Sequence, residues 1–130
     1  MSTEPSPALH GRAALVTGGA KRLGAAIARA LHAHGANVLL HYRGSAIAAE
    51  SLAQELNARR AGSVALHAGD LLDVAALPGL VEAATRAFGR LDVLVNNAST
   101  FYPTPVGEIT EAHWNDLLGS NLKAPLFLSQ

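Results

Sequence analysis

Four short apolar runs, each separated from the next by a segment of helical character, constrain the fold of this chain more than any other feature. The runs cover residues 13–17, 37–41, 63–67 and 91–95. Nearly continuous apolar runs of this length are typical of strands in a sheet that is covered on both faces. Strands that alternate with helices pair in parallel through right-handed crossovers. The order β-α-β-α-β-α-β-α therefore predicts an α/β fold with a doubly wound parallel sheet.

The segments between these runs carry the residues with which helices start and stop. Helices are expected over residues 24–34, 45–60 and 78–88, with a fourth from Thr110 onwards. Ser45 and Thr110 are of the residue type that caps a helix N-terminus. The fourth helix should break near Gly119 or Asn121. Pro125 should add a further irregularity, because proline cannot donate a helical hydrogen bond.

The composition limits the kinds of molecule that this protein is expected to bind. Lys and Arg together number 10, as do Asp and Glu, so there is no basic excess for a nucleic acid or an anionic membrane. The chain has no cysteine, and its six histidines show no metal-binding spacing, so neither a disulfide nor a metal site is expected. The N-terminal segment lacks the apolar stretch of a secretory signal, and no apolar run is long enough to span a bilayer. We expect a cytoplasmic protein without nucleic-acid or membrane partners.

A glycine-containing sequence, Thr17-Gly-Gly-Ala-Lys-Arg-Leu-Gly24, follows the first predicted strand and opens a helix. Gly18 permits a sharp turn, and Gly24 permits the helix to pack close to the sheet. The free N–H groups at the start of a helix bind phosphate, which the helix dipole favours. We therefore expect a dinucleotide-binding Rossmann-type domain over residues 11–130, after a flexible lead over residues 1–10. The alternative is a turn of the same shape that binds no ligand.

The segment after the second predicted strand indicates which dinucleotide would bind. NAD-binding domains usually carry a carboxylate there for the ribose 2′-hydroxyl. This sequence has none; it has His41, Tyr42 and Arg43, followed by Ser45 at an expected helix start. Cationic and hydrogen-bonding side chains suit a 2′-phosphate, which a carboxylate would repel. We therefore expect NADPH, with Arg43 reaching the 2′-phosphate; the alternative for Arg43 is a solvated surface side chain.

Three segments together resemble the pteridine-reductase branch of the short-chain dehydrogenases/reductases. They are Lys-Arg-Leu-Gly at residues 21–24, His-Tyr-x-x-Ser at 41–45 and Asn-Ala-Ser-x-Phe-Tyr-Pro at 97–103. The glycine loop departs from the general family pattern at Arg22, where the family usually has glycine. A second departure is Gly44, where many pteridine reductases have a basic residue directly before the serine. The resemblance covers nearly the whole chain after the first ten residues.

The resemblance implies cofactor contacts at the ends of several strands. The residues concerned are Gly18, Arg22, Leu23, Gly24, His41, Tyr42, Arg43, Ser45, Asp70, Leu71, Asn97, Ala98 and Ser99. Among them, Asp70 would accept a hydrogen bond from the adenine amino group; the alternative is that it only caps the segment after it. Asn97, with Asn96, would brace the central sheet and line the adenine–ribose side. The cofactor that the resemblance implies is NADPH.

The resemblance also implies a pterin substrate beside the end of the fourth strand. Ser99 would hydrogen-bond both the cofactor phosphate and the pterin, and Phe101 would stack on the pterin ring. The alternative for Phe101 is a ring packed into the core. Asn121 resembles the family's catalytic asparagine, whose backbone carbonyl helps to hold a water in the proton relay. The alternative for Asn121 is an ordinary residue at a helix kink.

The family's catalytic Tyr-x-x-x-Lys does not occur in this sequence. Its two tyrosines, Tyr42 and Tyr102, are followed four residues later by Ala46 and Val106. The chain also stops on the apolar run 124–128, so we expect a truncated domain that has no useful turnover alone. The intact protein is expected to be a tetrameric, NADPH-dependent reductase of dihydrobiopterin- or dihydrofolate-type pterins. The open alternatives are a carbonyl reductase of 3-oxoacyl type and a non-catalytic NADP(H)-binding module.

Overall fold

The computed structural model describes residues 7–130 of the chain. Most of the expected flexible lead, residues 1–6, lies outside the described residues. Residues 8–11 form a turn, in which the Leu9 amide donates a hydrogen bond of 2.9 Å to the carbonyl of His34. This turn brings the chain to the first strand beside the end of the first helix.

Four parallel strands form one sheet in the described part of the chain. They are β1 Ala13–Val16, β2 Asn37–Tyr42, β3 Val64–Ala68 and β4 Val93–Val95. Their order in the sheet is β3-β2-β1-β4, and every neighbouring pair is parallel. The strand order therefore reverses at β1, which pairs with β2 on one side and with β4 on the other. The prediction of a doubly wound α/β fold is confirmed.

Helices connect and cover these strands. Residues 7–130 contain α1 Arg22–Ala33, α2 Ala46–Arg59, α3 Leu77–Phe88, α4 Glu111–Leu118 and α5 Ala124–Ser129. A 3₁₀ turn, Val74–Ala76, precedes α3, and a π-helical stretch, Gly119–Lys123, joins α4 to α5. The four expected helical segments are present, and the fourth has the break that was predicted near Gly119 or Asn121.

The start and the break of the fourth helical segment follow from its sequence. Thr110 caps α4: its hydroxyl accepts from the His113 amide at 3.2 Å, and its own amide donates to His113 Nδ1 at 3.1 Å. The π-helical stretch ends at Lys123, two residues before Pro125, which has no N–H for the carbonyl of Asn121 four residues earlier. Pro125 itself lies in the first turn of α5, where proline is tolerated. The expectation of a further irregularity at Pro125 is therefore wrong, because the proline and the break belong to one feature.

Apolar side chains cover both faces of the sheet, which explains why the strands are apolar throughout. On one face, Val16, Val38 and Leu40 pack against α1 and α2. On the other face, Leu15 and Leu39 pack against α3 and α5. Successive residues of β1 and β2 thus serve opposite layers, as the pleat of a strand requires. The carboxyl ends of the parallel strands consequently meet at one edge of the sheet.

Gly24 determines how closely α1 approaches that edge. It is buried, and a Cβ at this position would overlap the carbonyl oxygen of Gly18 and lie 2.6 Å from Asn97 Nδ2. Gly79, in α3, provides a contrast because a Cβ there would meet no atom within 4 Å. Glycine is therefore required at position 24 for space, whereas at position 79 it only adds conformational freedom to the unfolded chain.

Gly24→Ala should lower the free energy of unfolding by about 1–3 kcal/mol, because backbone atoms must move to admit the methyl group. Gly79→Ala is the matched control and should raise the free energy of unfolding by about 0.5–1 kcal/mol, since alanine favours a helix interior. Urea denaturation of the protein and of both variants measures the two changes. A Gly24→Ala variant as stable as the parent would contradict the close approach of α1.

Candidate functional site

The side chain of Thr17 joins the ends of β1 and β4. Its buried hydroxyl accepts hydrogen bonds from the amides of Asn97 at 3.1 Å and Ala98 at 3.0 Å. The same hydroxyl donates to the carbonyl of Val95 at 3.4 Å. One hydroxyl thus uses its proton and both of its lone pairs. The turn after β1 and the segment after β4 are fixed relative to each other by this residue.

Asn97 makes the reverse connection with its side chain. Its Nδ2 donates to the carbonyls of Thr17 and Gly18, both at 3.1 Å. Carbonyls in a turn have lost their sheet partners and need such donors when they are partly buried. The side chain therefore braces the glycine turn from the neighbouring strand.

The turn after β1 and the first position of α1 each have one residue in the left-handed region. Gly18 has φ +60° and Arg22 has φ +53°. Glycine adopts this conformation readily, whereas for an arginine it costs about 1–2 kcal/mol. Among residues 7–130, Arg22 alone combines a side chain with a positive φ. This backbone conformation gives a physical reason why a glycine suits position 22 and why the arginine is a departure.

A groove of about 490 Å³ separates this turn from the end of β4. It is lined by Gly18, Lys21, Arg22, Leu23, Gly24, Asn97, Ala98 and Ser99. The Ala25 amide donates to the carbonyl of Lys21 at 3.2 Å, and the amides before it in α1 have no intrahelical acceptor. Helix-start amides flanked by two cationic side chains form an environment that suits a diphosphate.

His41 links the turn after β1 to the turn after β3. Its Nδ1 accepts from the Gly18 amide at 3.1 Å, so Nε2 carries the proton and donates to the Gly69 carbonyl at 2.8 Å. Burial lowers the pKa of His41 below its ordinary value, although the hydrogen bond to Gly69 acts in the opposite direction. Both ring nitrogens are engaged with backbone. The expectation that the His41 side chain helps to hold a 2′-phosphate is therefore corrected: this side chain holds two turns together.

A smaller cavity of about 160 Å³ lies beside the carboxyl ends of β1, β2 and β3. Its lining includes Arg43 and Asp70, whose Nη2 and Oδ2 atoms are 3.5 Å apart. The other carboxylate oxygen of Asp70 accepts from the Leu72 amide at 2.9 Å. Asp70 thus caps its own turn with one oxygen, which is the capping role considered above, and directs the other towards Arg43. Leu71 contributes to the cavity wall and is otherwise buried in the core.

Two further residues of the predicted phosphate site lie on either side of Arg43. Tyr42 is the last residue of β2 and is half-buried, and Ser45 occupies the N-cap position of α2. Within the described part of the chain, the Ser45 side chain makes no capping hydrogen bond. Arg43 and Ser45 therefore stand on one short turn with polar groups that the α2 helix does not use.

The segment after β4 carries Ser99 and Phe101 on the surface. Ser99 lines both the groove and the smaller cavity, and the Phe101 ring is 89% exposed. The alternative that Phe101 packs into the core is therefore wrong. Asn121 holds this segment from the π-helical stretch: its Nδ2 donates to the Thr100 carbonyl at 2.7 Å, and its Oδ1 accepts from the Thr100 amide at 3.1 Å.

Sequence analysis did not predict the contacts of Thr17, Tyr102 and Asp116. The position of Thr17 between a buried strand and a glycine turn is a signal that could have indicated a bracing hydroxyl. Tyr102 donates from its phenol to Asp116 Oδ2 at 2.9 Å. This pair has no recognisable sequence signal, because the contact depends on the irregular path of residues 99–110.

Residues 7–130 contain neither a cluster of metal-binding side chains nor a membrane-spanning helix. No group of three or more His, Cys, Asp or Glu side chains among residues 7–130 is arranged to hold a metal ion. None of the helices there combines the length and the apolar character needed to cross a membrane.

Comparison with known proteins assigns the chain to a family. The sequence profile of the short chain dehydrogenases matches residues 12–130, which include all four strands and the turns described above. The chain belongs to the short-chain dehydrogenase family. Members of this family are oxidoreductases that bind nicotinamide cofactors, and the groove offers surroundings that suit the diphosphate of such a cofactor. The predicted membership is confirmed.

Three relatives within the short-chain dehydrogenase family illustrate the similarity. Pteridine reductase 1 of Leishmania tarentolae is 45% identical, over 98% of this chain and 54% of its own length. An uncharacterized oxidoreductase of Methylorubrum extorquens is 38% identical, over 94% of this chain and 49% of its own. A 3-oxoacyl-(acyl-carrier-protein) reductase of Staphylococcus aureus is 35% identical, over 86% and 45%. The chain spans about half the length of these curated relatives, and the resemblance to pteridine reductases is confirmed.

The buried ring of His41 should have a pKa below its ordinary value of 6.5 and should remain the neutral Nε2–H tautomer that its two hydrogen bonds require. As the pH falls, His41 takes up a proton in the unfolded chain before it does so in the folded chain. The stability contributed by neutral His41 is therefore present above about pH 6.5 and is lost as the pH falls. Long-range ¹H–¹⁵N NMR of the imidazoles, assigned with a His41→Gln variant, measures both the tautomer and the pKa. Titration of His41 at or above pH 6.5 would contradict the buried bridge.

Proposed function

We propose that this short-chain dehydrogenase uses NADPH and reduces a pterin. The cofactor choice rests on one observation, the end of β2, where Arg43 and Ser45 stand and the sequence has no carboxylate. A ribose 2′-phosphate carries up to two negative charges, so a guanidinium and a hydroxyl at a helix start favour it over a 2′-hydroxyl. The adjacent cavity, which both Arg43 and Asp70 line, is the proposed place of the adenine.

The residues around the groove fit the rest of a dinucleotide. A Cβ on Gly18 would lie 3.1 Å from Ala98 Cα, and the residue has φ +60°, so the turn packs tightly against the end of β4 and favours glycine there. The start of α1 offers amide donors for the diphosphate, and the side chains of Lys21 and Arg22 add positive charge beside them. This part of the chain thus binds and orients the cofactor, whereas the nicotinamide supplies the hydride when it is bound.

The substrate proposal rests on Phe101. Its ring is exposed, and it follows Ser99 by two residues on the segment that leaves β4 beside the groove. A planar heteroaromatic ring can stack on Phe101 and use the Ser99 hydroxyl for a hydrogen bond. The name of the 45% identical Leishmania relative, pteridine reductase 1, supports a pterin as that ring.

A second candidate is reduction of a 3-oxoacyl group. It is favoured by the 35% identity with the Staphylococcus aureus 3-oxoacyl reductase. A linear acyl group does not need an aromatic stacking surface, so the exposed ring of Phe101 favours the pterin. A non-catalytic NADP(H)-binding module is the third alternative, since no tyrosine of this sequence has a lysine four residues later. For the same reason, we propose that the 130 residues alone have no useful turnover.

The proposed enzyme is a tetramer of identical subunits. Trp114, Leu122 and Leu126 follow one another along the fourth helical segment and are 63%, 64% and 64% exposed. A row of exposed apolar side chains on a helix is typical of a surface that another subunit covers. The α4–α5 segment is therefore the proposed subunit interface.

Arg43→Ala should weaken NADPH binding about 10- to 100-fold and change NADH binding less than about twofold, because only NADPH presents a phosphate to this side chain. Arg86→Ala, at an exposed position of α3, is the matched control for loss of one positive charge and should leave both affinities unchanged. Fluorescence titration of the intact protein gives the dissociation constants. Equal affinity of the parent protein for NADPH and NADH would refute the 2′-phosphate assignment.

Phe101→Ala should raise the KM for dihydrobiopterin at least about tenfold, since it removes the stacking surface, and should leave NADPH affinity unchanged. Val106→Ala, at a position of the same segment that is 96% exposed, is the matched control and should have no effect. Steady-state rates of the intact protein with dihydrobiopterin and with a 3-oxoacyl thioester measure the outcome. A parent protein that reduces only the thioester would support the second candidate instead.

A further inference from the structure

Phe101 has a side chain without core contacts, and yet each of its neighbours in the chain is anchored. On one side, Thr100 is bound through its amide and its carbonyl to the Asn121 side chain. On the other side, Tyr102 donates its phenolic proton to Asp116 Oδ2 at 2.9 Å. Both anchors belong to one helical segment, since Asp116 lies in α4 and Asn121 in the π-helical stretch that follows. The backbone on both sides of Phe101 is therefore attached to the same rigid element.

The aromatic ring of Tyr102 also makes a contact of its own, besides the hydrogen bond of its hydroxyl. It packs edge-to-face on the His113 ring, with the ring centres 5.6 Å apart and the planes at 64°. His113 is itself fixed, because its Nδ1 accepts from the Thr110 amide in the cap of α4. The helix cap, His113 and Tyr102 thus form one continuous set of contacts. The two prolines that follow, Pro103 and Pro105, further restrict the backbone of this segment.

The hydrogen bond to Asp116 persists over the neutral pH range. Partial burial of Tyr102 raises the pKa of its phenol, and the hydrogen bond to the Asp116 carboxylate and its negative charge raise this pKa further. The phenol therefore keeps its proton and remains a donor. A hydrogen bond to a charged acceptor is stronger than one between neutral groups, so it can hold a surface segment that has little packing of its own.

We propose that the Tyr102–Asp116 hydrogen bond is a positioning device, which holds Phe101 as a preformed stacking surface for the substrate. A ring 89% exposed would otherwise sample several orientations, and a substrate would have to order it on binding. Tyr102 and Asp116 then act on the substrate through Phe101, without touching it. This inference rests on the proposed pterin reductase function, and it concerns the binding of the substrate and not the hydride transfer.

The anchor can be tested without a substrate. Amide hydrogen–deuterium exchange over residues 99–105 of the NADPH-saturated intact protein should become at least about threefold faster in Tyr102→Phe and in Asp116→Ala. Asp116→Asn keeps an oxygen acceptor for the phenol and should remain close to the parent. Val106→Ala, in the same segment but outside the anchor, is the matched control. Unchanged exchange in Tyr102→Phe would overturn the anchor.

The positioning role is tested by kinetics with dihydrobiopterin. Tyr102→Phe should raise KM about three- to tenfold, with kcat and NADPH affinity changed less than about twofold. Asp116→Ala should raise KM to the same extent; its NADPH affinity is not used as a control, because Asp116 also lines the cavity proposed for the adenine. Both substitutions remove the same Tyr102–Asp116 hydrogen bond. The KM of the double variant should therefore be no higher than that of either single variant. Asp116→Asn keeps an oxygen acceptor for the phenol, so its KM should lie close to that of the parent protein. Faster exchange with an unchanged KM would overturn the positioning role.

The outcomes separate this inference from the proposed function. A parent protein that binds NADPH but does not reduce dihydrobiopterin would overturn the proposed function, and with it the substrate role of Phe101. The exchange experiment would still decide whether the Tyr102–Asp116 bond anchors the segment. An additive loss in the double variant would overturn the single shared hydrogen bond as the cause.

Discussion

The hydrogen bonds of Thr17 hold together the two strand ends on which the whole site depends. Parallel strands present their carboxyl ends at one edge, but nothing in the sheet ladder fixes the turns that leave them. Here one buried hydroxyl binds two amides after β4 and one carbonyl of β4, and Asn97 binds two carbonyls after β1. The glycine turn therefore has one position relative to β4.

These hydrogen bonds explain how the site tolerates two residues in conformations or surroundings that cost free energy. Arg22 occupies a left-handed conformation, which persists only where the surroundings fix the backbone. His41 is a buried imidazole whose neutral form accepts from Gly18 and donates to Gly69. Both residues cost free energy that the core on the two sheet faces must offset, and both keep the turns at the strand ends in place. The edge of the sheet that carries the candidate site is thus held by polar contacts, while the stability of the domain comes from the apolar layers.

The sequence predicted the sheet well because strand burial and helix signals are local. Signals within a few residues of sequence, namely apolar periodicity and capping residues, predicted the four strands, the Thr110 cap and the break in the fourth helical segment. Contacts between distant residues could not be read in this way. The His41 side chain was expected at a phosphate and instead bridges two turns. Its hydrogen-bond partners, Gly18 and Gly69, are distant from it in the sequence, so the sequence pattern did not reveal them. Phe101 could be core or surface until the path of residues 99–110 was known, and the Tyr102–Asp116 bond depends on the same path.

The central claim, that the end of β2 binds the 2′-phosphate of NADPH, is tested most directly by a crystal structure of the intact protein with NADP⁺. In that complex, we expect oxygens of the 2′-phosphate within about 3.2 Å of Arg43 and Ser45, and the diphosphate against the first amides of α1. In that complex the Arg43 guanidinium should have left Asp70, from which it is 3.5 Å away here, for the phosphate. A 2′-phosphate that points into solvent, with Arg43 still paired to Asp70, would contradict the account.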